Sequence, residues 1–144
     1  MSRSHETVID LKASPEEVFR AITEPEQIAK WFAPVRVDPH VGGEYVISWA
    51  PGMESKGTVS AWDPYTHFGK YSERSVAYAN PPVDTGVVQR IAIDFYIEAI
   101  GDGVTRLRLV QSGFGDGAAW DEEFESTKPG WGGFLKKLKE ILEA

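Results

Sequence analysis

Hydrophobic and polar residues alternate over much of the chain, which is the pattern of β-strands with one buried face. Near the N-terminus, Thr7, Ile9 and Leu11 alternate with charged residues and predict a strand over 6–12. The same pattern predicts further strands at 35–38, 43–49, 57–62, 66–74, 87–100 and 104–111, with a loop over 77–86. Because the two longest runs carry one apolar and one charged face and are joined by a short turn, we expect an antiparallel sheet covered on one side only.

Two short helices are predicted between the first two strands. Ser14 is placed to cap the first helix, Pro15 fits its first turn, and Glu17 completes a capping box. A second helix starts at Pro25 in the same way. Its apolar residues follow i, i+3, i+4 spacing, at Ile28, Trp31 and Phe32.

The end of the chain predicts a long amphipathic helix. Its large apolar residues recur with helical spacing, at Trp131, Phe134, Leu135, Leu138, Ile141 and Leu142. Trp120 and Phe124 fall on the same face as Trp131, so the helix is expected to run from about Ala118. Pro129 and the glycines at 130, 132 and 133 weaken a helix, so a kink or a brief interruption is expected near Pro129.

Length, charge and composition narrow the classes of function. The chain has 144 residues, the size of a single domain, and we expect one domain over 1–144. Its net charge of -7 opposes binding to nucleic acid or to an anionic membrane surface. No apolar run approaches the roughly 18 residues of a transmembrane helix, and the N-terminus lacks the apolar segment of a signal peptide. A cytoplasmic protein with no membrane insertion is therefore expected.

The residues give no sign of a metal, a cofactor or a familiar catalytic motif. The chain has no cysteine, and His5, His40 and His67 lie far apart, none with a carboxylate at ligand spacing on one element. No serine lies in a nucleophile elbow, and no glycine-rich loop has the lysine and spacing of a phosphate-binding loop. We therefore predict no catalytic residue, no metal and no cofactor, and favour binding over catalysis.

The order of elements and several short motifs resemble one known family. A strand, two capped helices, a run of antiparallel strands and a long C-terminal helix is the order of the α+β helix-grip fold. The motifs are Ala13–Ile22 (ASPEEVFRAI), Trp31–Pro34 (WFAP), Gly42–Tyr45 (GGEY), Gly57–Val59 (GTV) before Asp63–Pro64, and Gly130–Trp131. Together they resemble bacterial homologues of the activator of the ninety-kilodalton heat-shock-protein ATPase, over Thr7 to Glu143. That family belongs to the superfamily of StAR-related lipid-transfer domains, birch-pollen-type allergens and polyketide cyclases.

The resemblance implies a curved antiparallel sheet wrapped around the last helix, with a cavity between them. In the superfamily such cavities hold lipids, hormones, flavonoids or polyketides. Glycines 130, 132 and 133 are expected to thin the helix where it faces the sheet, leaving space for a guest or for close backbone packing. The residues predicted to bind the ligand are Tyr45, Ile47, Trp49, Ile91, Ile93, Phe95, Leu109, Gln111, Trp120, Phe124, Trp131 and Leu135. Each of them is also compatible with plain core packing.

Three functions stay open on the sequence. The first is binding of a small hydrophobic or aromatic molecule in that cavity. The second is a polyketide cyclase or dehydratase, in which Gln111, Tyr45 or His67 moves protons. The third is a protein-interaction module with a chaperone or another protein as partner, which predicts a large exposed apolar or charged patch. Nothing in the pattern decides the oligomeric state.

Overall fold

The computed structural model describes residues 2–74, 89–115 and 118–144. The loop predicted over 77–86 lies outside these ranges. The described elements are β1 (Ser2–Leu11), α1 (Pro15–Thr23), α2 (Pro25–Trp31), β2 (Val35–Val37), β3 (Glu44–Ala50), β4 (Met53–Asp63), β5 (His67–Arg74), β6 (Gln89–Gly101), β7 (Val104–Gly115), a short 3-10 turn (Ala118–Trp120) and α3 (Asp121–Leu142). None of the described helices is long and apolar enough to span a membrane.

The strands form one antiparallel sheet in the order β1-β7-β6-β5-β4-β3-β2. Its inner face is built by alternate residues, as the sequence pattern predicts. Phe95 of β6 pairs with Leu109 of β7, which pairs with Thr7 of β1. The sheet curves around α3, so the α+β helix-grip fold predicted from the sequence is confirmed.

Helix α1 begins with the predicted capping box. The backbone N–H of Glu17 donates to Ser14 Oγ over 3.1 Å, and the backbone N–H of Ser14 donates to Glu17 Oε1 over 3.3 Å. Helix α2 has Glu24 as its N-cap, but the Glu24 side chain makes no capping hydrogen bond. The Trp31 indole donates to the carbonyl of Ala21 over 2.9 Å and ties the two helices together.

Helix α3 runs through Pro129 without a break, so of the two expected features, a kink or a brief interruption, the interruption does not occur. The long helix is confirmed, although residues 118–120 form a 3-10 turn and the α-helix itself starts at Asp121. Trp131, Leu135 and Leu138 on its inner side are buried against the sheet. This packing offsets the weak helix propensity near Pro129, because tertiary burial outweighs propensity in most helices.

The buried side chains form two clusters. The larger cluster joins α1, α2 and α3 to the middle of the sheet. The smaller one contains Ile91, Phe114 and Trp120, with Phe124 packed against it, below the start of α3.

Candidate binding cavity

An open space, the sheet–helix cavity, lies between the inner face of the sheet and α3. Its volume is about 400 Å³, within the roughly 300–1,000 Å³ that small-molecule sites occupy. Strands β3 to β7 and α3 contribute its walls, together with Phe32 just after α2. The bordering residues are Phe32, Tyr45, Ile47, Trp49, Ser55, Lys56, Gly57, Lys70, Tyr71, Ser72, Ile91, Ile93, Gln111, Ser126, Thr127, Gly130, Trp131 and Phe134.

Four aromatic rings form one wall of the cavity. Phe32 stacks on Trp131, with ring centroids 5.2 Å apart and an interplanar angle of 11°. The Phe32 ring also makes edge-on contacts with the rings of Phe134 and Trp49, at centroid distances of 4.8 Å and 5.3 Å. Aromatic contacts of this kind contribute about 0.5–1.5 kcal/mol each beyond their burial. Trp49 is 49% exposed and therefore lies at the mouth.

A buried hydrogen bond fixes the largest ring of this wall. The Trp131 indole N–H donates to Gln111 Oε1 over 3.0 Å, and Gln111 itself is only 4% exposed. Leaving either group unpaired costs about 1–3 kcal/mol, so the bond holds the indole in one orientation. Gln111 is thus both a polar border of the cavity and a satisfied buried amide.

His5 lies behind the cavity, on the inner face of β1 and opposite Gln111. Its Nε2 is 2.8 Å from Thr127 Oγ1, and Thr127 borders the cavity. Burial lowers the pKa of His5 below its ordinary 6.5; the Gln111 side chain opposes this shift, and Lys128 adds to it. The neutral ring is therefore favoured at this position.

Lys70 is directed into the cavity by the register of β5. It pairs with Val59 on one neighbouring strand and with Ile93 on the other, both buried on the inner face. Its Nζ lies 4.4 Å from the centroid of the Tyr45 ring, a cation–π geometry. Burial raises the pKa of the Tyr45 hydroxyl, so this phenol stays neutral.

Two other bordering residues point away from the cavity. Lys56 pairs with Val46 on the opposite face of the sheet. Tyr71 pairs in the same way with Ala92. Both residues therefore border the space through their backbone. Among the bordering residues in the described part of the chain, Lys70 is the charged side chain on the inner face.

Seven of the twelve predicted ligand-binding residues border the cavity. They are Tyr45, Ile47, Trp49, Ile91, Ile93, Gln111 and Trp131. The structure brings these residues together from four elements; that they bind a ligand stays a prediction.

The other five predicted residues do not border this cavity. Phe95, Leu109 and Leu135 are at most 3% exposed within the larger core cluster and do not border the space. Trp120 and Phe124 belong to the smaller cluster. Helical spacing gives the face of a residue but not its position along the axis. The cavity borders α3 between Ser126 and Phe134, and Phe124 lies two residues before this stretch.

Of the three glycines predicted to thin α3 toward the sheet, only Gly130 borders the cavity in the described helix. Gly130 borders the cavity, and a Cβ added there would meet no atom within 4 Å. Gly132 and Gly133 also have open space beside them, but they do not border the cavity. These two glycines therefore do not thin the helix toward the sheet.

His67, the histidine considered as an acid or base, does not border the cavity. Its Nε2 lies 2.7 Å from Asp94 Oδ1, and its ring stacks on Tyr96 with centroids 4.4 Å apart. These partners lie on the outer face of the sheet, because they alternate with the buried Ile93, Phe95 and Ile97.

Sequence reasoning missed several residues that border the cavity. Helical spacing predicts that Phe32 and Phe134 lie on apolar stripes, but it does not predict that they border a cavity. Lys70 and Ser72 were missed because polar residues interrupt the apolar face of their strand. Strict alternation from Phe68 would have placed both on the inner face.

The family follows from comparison with known proteins. The model of the family described as "Activator of Hsp90 ATPase homolog 1-like protein" matches residues 12–143. The chain belongs to this family. The match to the Hsp90-activator homologue family covers both short helices, β2 to β7 and α3, which confirms the resemblance seen in the sequence. No curated protein matches the chain.

Solved structures with the same fold span nearly the whole chain. Protein MLL2253 from Mesorhizobium loti is 26% identical, with a TM-score of 0.83 over 98% of this chain and 97% of that one. CalU16 from Micromonospora echinospora is 19% identical, with a TM-score of 0.73 over 98% and 76%. The Aha1 dimer from Colwellia psychrerythraea is 20% identical, with a TM-score of 0.72 over 98% and 96%. The last two similarities support the Hsp90-activator homologue fold alone.

Proposed function

We propose that this protein binds a small hydrophobic or aromatic molecule in the sheet–helix cavity. The observation that carries the proposal is the space of about 400 Å³ with an aromatic wall of Phe32, Trp49, Trp131 and Phe134. A mostly apolar concave space with a few fixed polar groups is the usual form of a small-molecule site. Membership of the Hsp90-activator homologue family and its helix-grip fold are consistent with this function.

The cyclase or dehydratase alternative has less support. Of the bordering residues that the structure describes, none is an aspartate, a glutamate or a histidine. The Gln111 oxygen accepts the hydrogen bond of Trp131, and burial raises the pKa of Tyr45, so its hydroxyl is a weak acid and stays protonated. His67 lies on the outer face of the sheet. Binding without chemistry therefore fits the described side chains better.

The protein-interaction alternative predicts a large exposed patch. Within the described ranges, the exposed large apolar residues sit on separate strands and loops, apart from Trp49 and Met53 in one hairpin. Single exposed apolar residues are normal on protein surfaces. This distribution gives no specific reason to prefer a protein partner over a small ligand.

Filling the cavity from α3 tests the proposal. N-phenylnaphthylamine is a neutral apolar dye whose fluorescence rises in an apolar site, and it can be titrated into the protein. In Gly130→Leu the new side chain enters open space that borders the cavity. We expect the affinity for the dye to fall by at least about tenfold, because the ligand and the leucine compete for one volume.

Gly133→Leu is the matched control. Gly133 is in the same helix with open space beside it but does not border the cavity, so dye affinity should stay within about twofold. Both substitutions raise helix propensity alike. Wild-type protein that does not bind the dye, or equal affinity in both variants, would exclude this cavity as the binding site.

A further inference from the structure

One lysine side chain, that of Lys70, lies among the mainly apolar side chains on the inner face of the cavity. Lys70 lies on the inner face between Val59 and Ile93, which are 1% and 7% exposed. Placing an ammonium group in apolar surroundings is unfavourable unless other groups stabilise its charge. The ring of Tyr45 supplies part of that stabilisation through its cation–π contact at 4.4 Å.

The charges around the cavity favour an anion over a cation. The chain as a whole carries a net charge of -7, yet the bordering residues that the structure describes include no carboxylate. Among these bordering residues, the charged side chain on the inner face is therefore positive, although the chain as a whole is negative. A ligand anion would add to the contacts that Lys70 already makes, and it would do so in a partly desolvated space where charge pairs are stronger.

A second polar group lies beside Lys70 on the same face. Ser72 is two residues further along β5, pairs with the buried Ile91 and borders the cavity. Residues at i and i+2 of a strand are about 7 Å apart, so an ammonium and a hydroxyl can both reach one carboxylate lying between them. The aromatic wall around Trp131 offers the apolar surface for the rest of the molecule.

We propose that the ligand is an amphipathic organic acid whose carboxylate is held by Lys70 and Ser72. Its apolar or aromatic body packs against Phe32, Trp131 and Phe134. This inference rests on the proposed function, because it assigns a substrate class to the same cavity. It adds a specific recognition element, a charge-assisted hydrogen bond from Lys70 Nζ to the ligand.

The test uses two competitors of nearly the same shape, one anionic and one neutral. Naphthoic acid and naphthamide have nearly the same shape, and at about pH 7.5 the acid is ionised whereas the amide is neutral. Each displaces bound N-phenylnaphthylamine in a titration. For wild-type protein we expect the acid to bind at least about tenfold more tightly than the amide. In Lys70→Met this ratio should fall to within about twofold, with the affinity for the amide unchanged.

Two further variants make the result specific. Lys70→Arg keeps the charge and should retain most of the preference for the acid. Lys56→Met removes a lysine that borders the same cavity but points to the opposite face, so it should keep the full preference. Equal losses in Lys56→Met and Lys70→Met would overturn the assignment, since a distant surface charge would then have the same effect.

The outcomes separate the two proposals. If the dye binds but the acid and the amide compete equally in wild-type protein, the organic-acid inference is wrong and the binding function stands. If the dye and both competitors fail to bind, the proposed function fails and the inference fails with it. An amide affinity that falls together with the acid affinity in Lys70→Met would show that Lys70 shapes the cavity rather than recognises the anion.

Discussion

At the residue scale, two contacts between polar side chains lie inside the apolar interior. Trp131 donates to Gln111, and His5 contacts Thr127. Each contact stabilises the fold, because a buried polar group without a partner costs about 1–3 kcal/mol. The two contacts tie α3 to β7 and β1 beside the sheet–helix cavity, and so they fix the position of the helix above the sheet.

The contact of His5 makes stability depend on pH. Burial holds the pKa of His5 below its ordinary 6.5, so the unfolded chain binds the proton more readily than the folded chain. The contribution of neutral His5 to the free energy of unfolding is therefore fully present above about pH 6.5. It is lost as the pH falls toward the pKa of His5 in the folded chain. We expect a lower free energy of unfolding in urea at about pH 5.5 than at about pH 7.5, and a smaller difference in His5→Gln.

His40 supplies the control for this experiment. It is exposed, and its hydrogen bond to the carbonyl of Val41 and the nearby Asp38 raise its pKa. A raised pKa acts with the opposite sign, because that stability is lost as the pH increases. His40→Gln should therefore not reduce the difference between the two pH values. An unchanged difference in His5→Gln would show that His5 does not carry the effect.

At the element scale, the two short helices differ in how their N-termini are capped. Helix α1 has a capping box in which Ser14 and Glu17 satisfy each other's backbone N–H groups. A single residue, Glu24, separates the end of α1 from the start of α2, and this N-cap makes no side-chain capping bond. The sequence pattern of Ser14-Pro15-Glu16-Glu17 therefore contributes to stability, whereas the junction between the helices depends on tertiary contacts such as that of Trp31 with Ala21.

Alanine substitution at the two caps measures this difference. Ser14→Ala should lower the free energy of unfolding by about 0.5–2 kcal/mol, the usual contribution of a side-chain N-cap. Glu24→Ala should change it by no more than about 0.5 kcal/mol. Neither residue borders the cavity, so dye affinity should stay the same. Equal losses of stability, measured by urea unfolding, would contradict the capping account.

At the scale of the whole molecule, the sequence predicts the sheet and its inner face but not the shape of the cavity. Alternation identifies side chains such as Ile93 as inward facing, because a strand has a period of two. Alternation does not give the depth of a side chain within the core. It therefore does not separate Phe95, a buried core residue, from residues such as Ile93 that border the space. Depth depends on how α3 crosses the sheet, which no local pattern encodes.

Lys70, which is central to the proposed ligand class, is also the residue that weakens the alternating pattern of β5. Lys70 interrupts the apolar face of β5, so the alternation of that strand is poor. Departures from a local pattern are expected at functional sites, where a side chain serves a purpose other than packing. The same holds for Gly130, which lowers helix propensity at the point where α3 borders the cavity.

The most direct test of the account is to see which tryptophans respond when the cavity is filled. The chain has five tryptophans, so the indole N–H signals of nitrogen-labelled protein can be followed in a proton–nitrogen correlation spectrum during titration with N-phenylnaphthylamine. Trp131 and Trp49 border the cavity, whereas Trp31, Trp62 and Trp120 do not. The account predicts saturable shifts of the Trp131 and Trp49 signals with little change in the other three. Shifts confined to the other three, or no shift at saturating dye, would contradict binding between the sheet and α3.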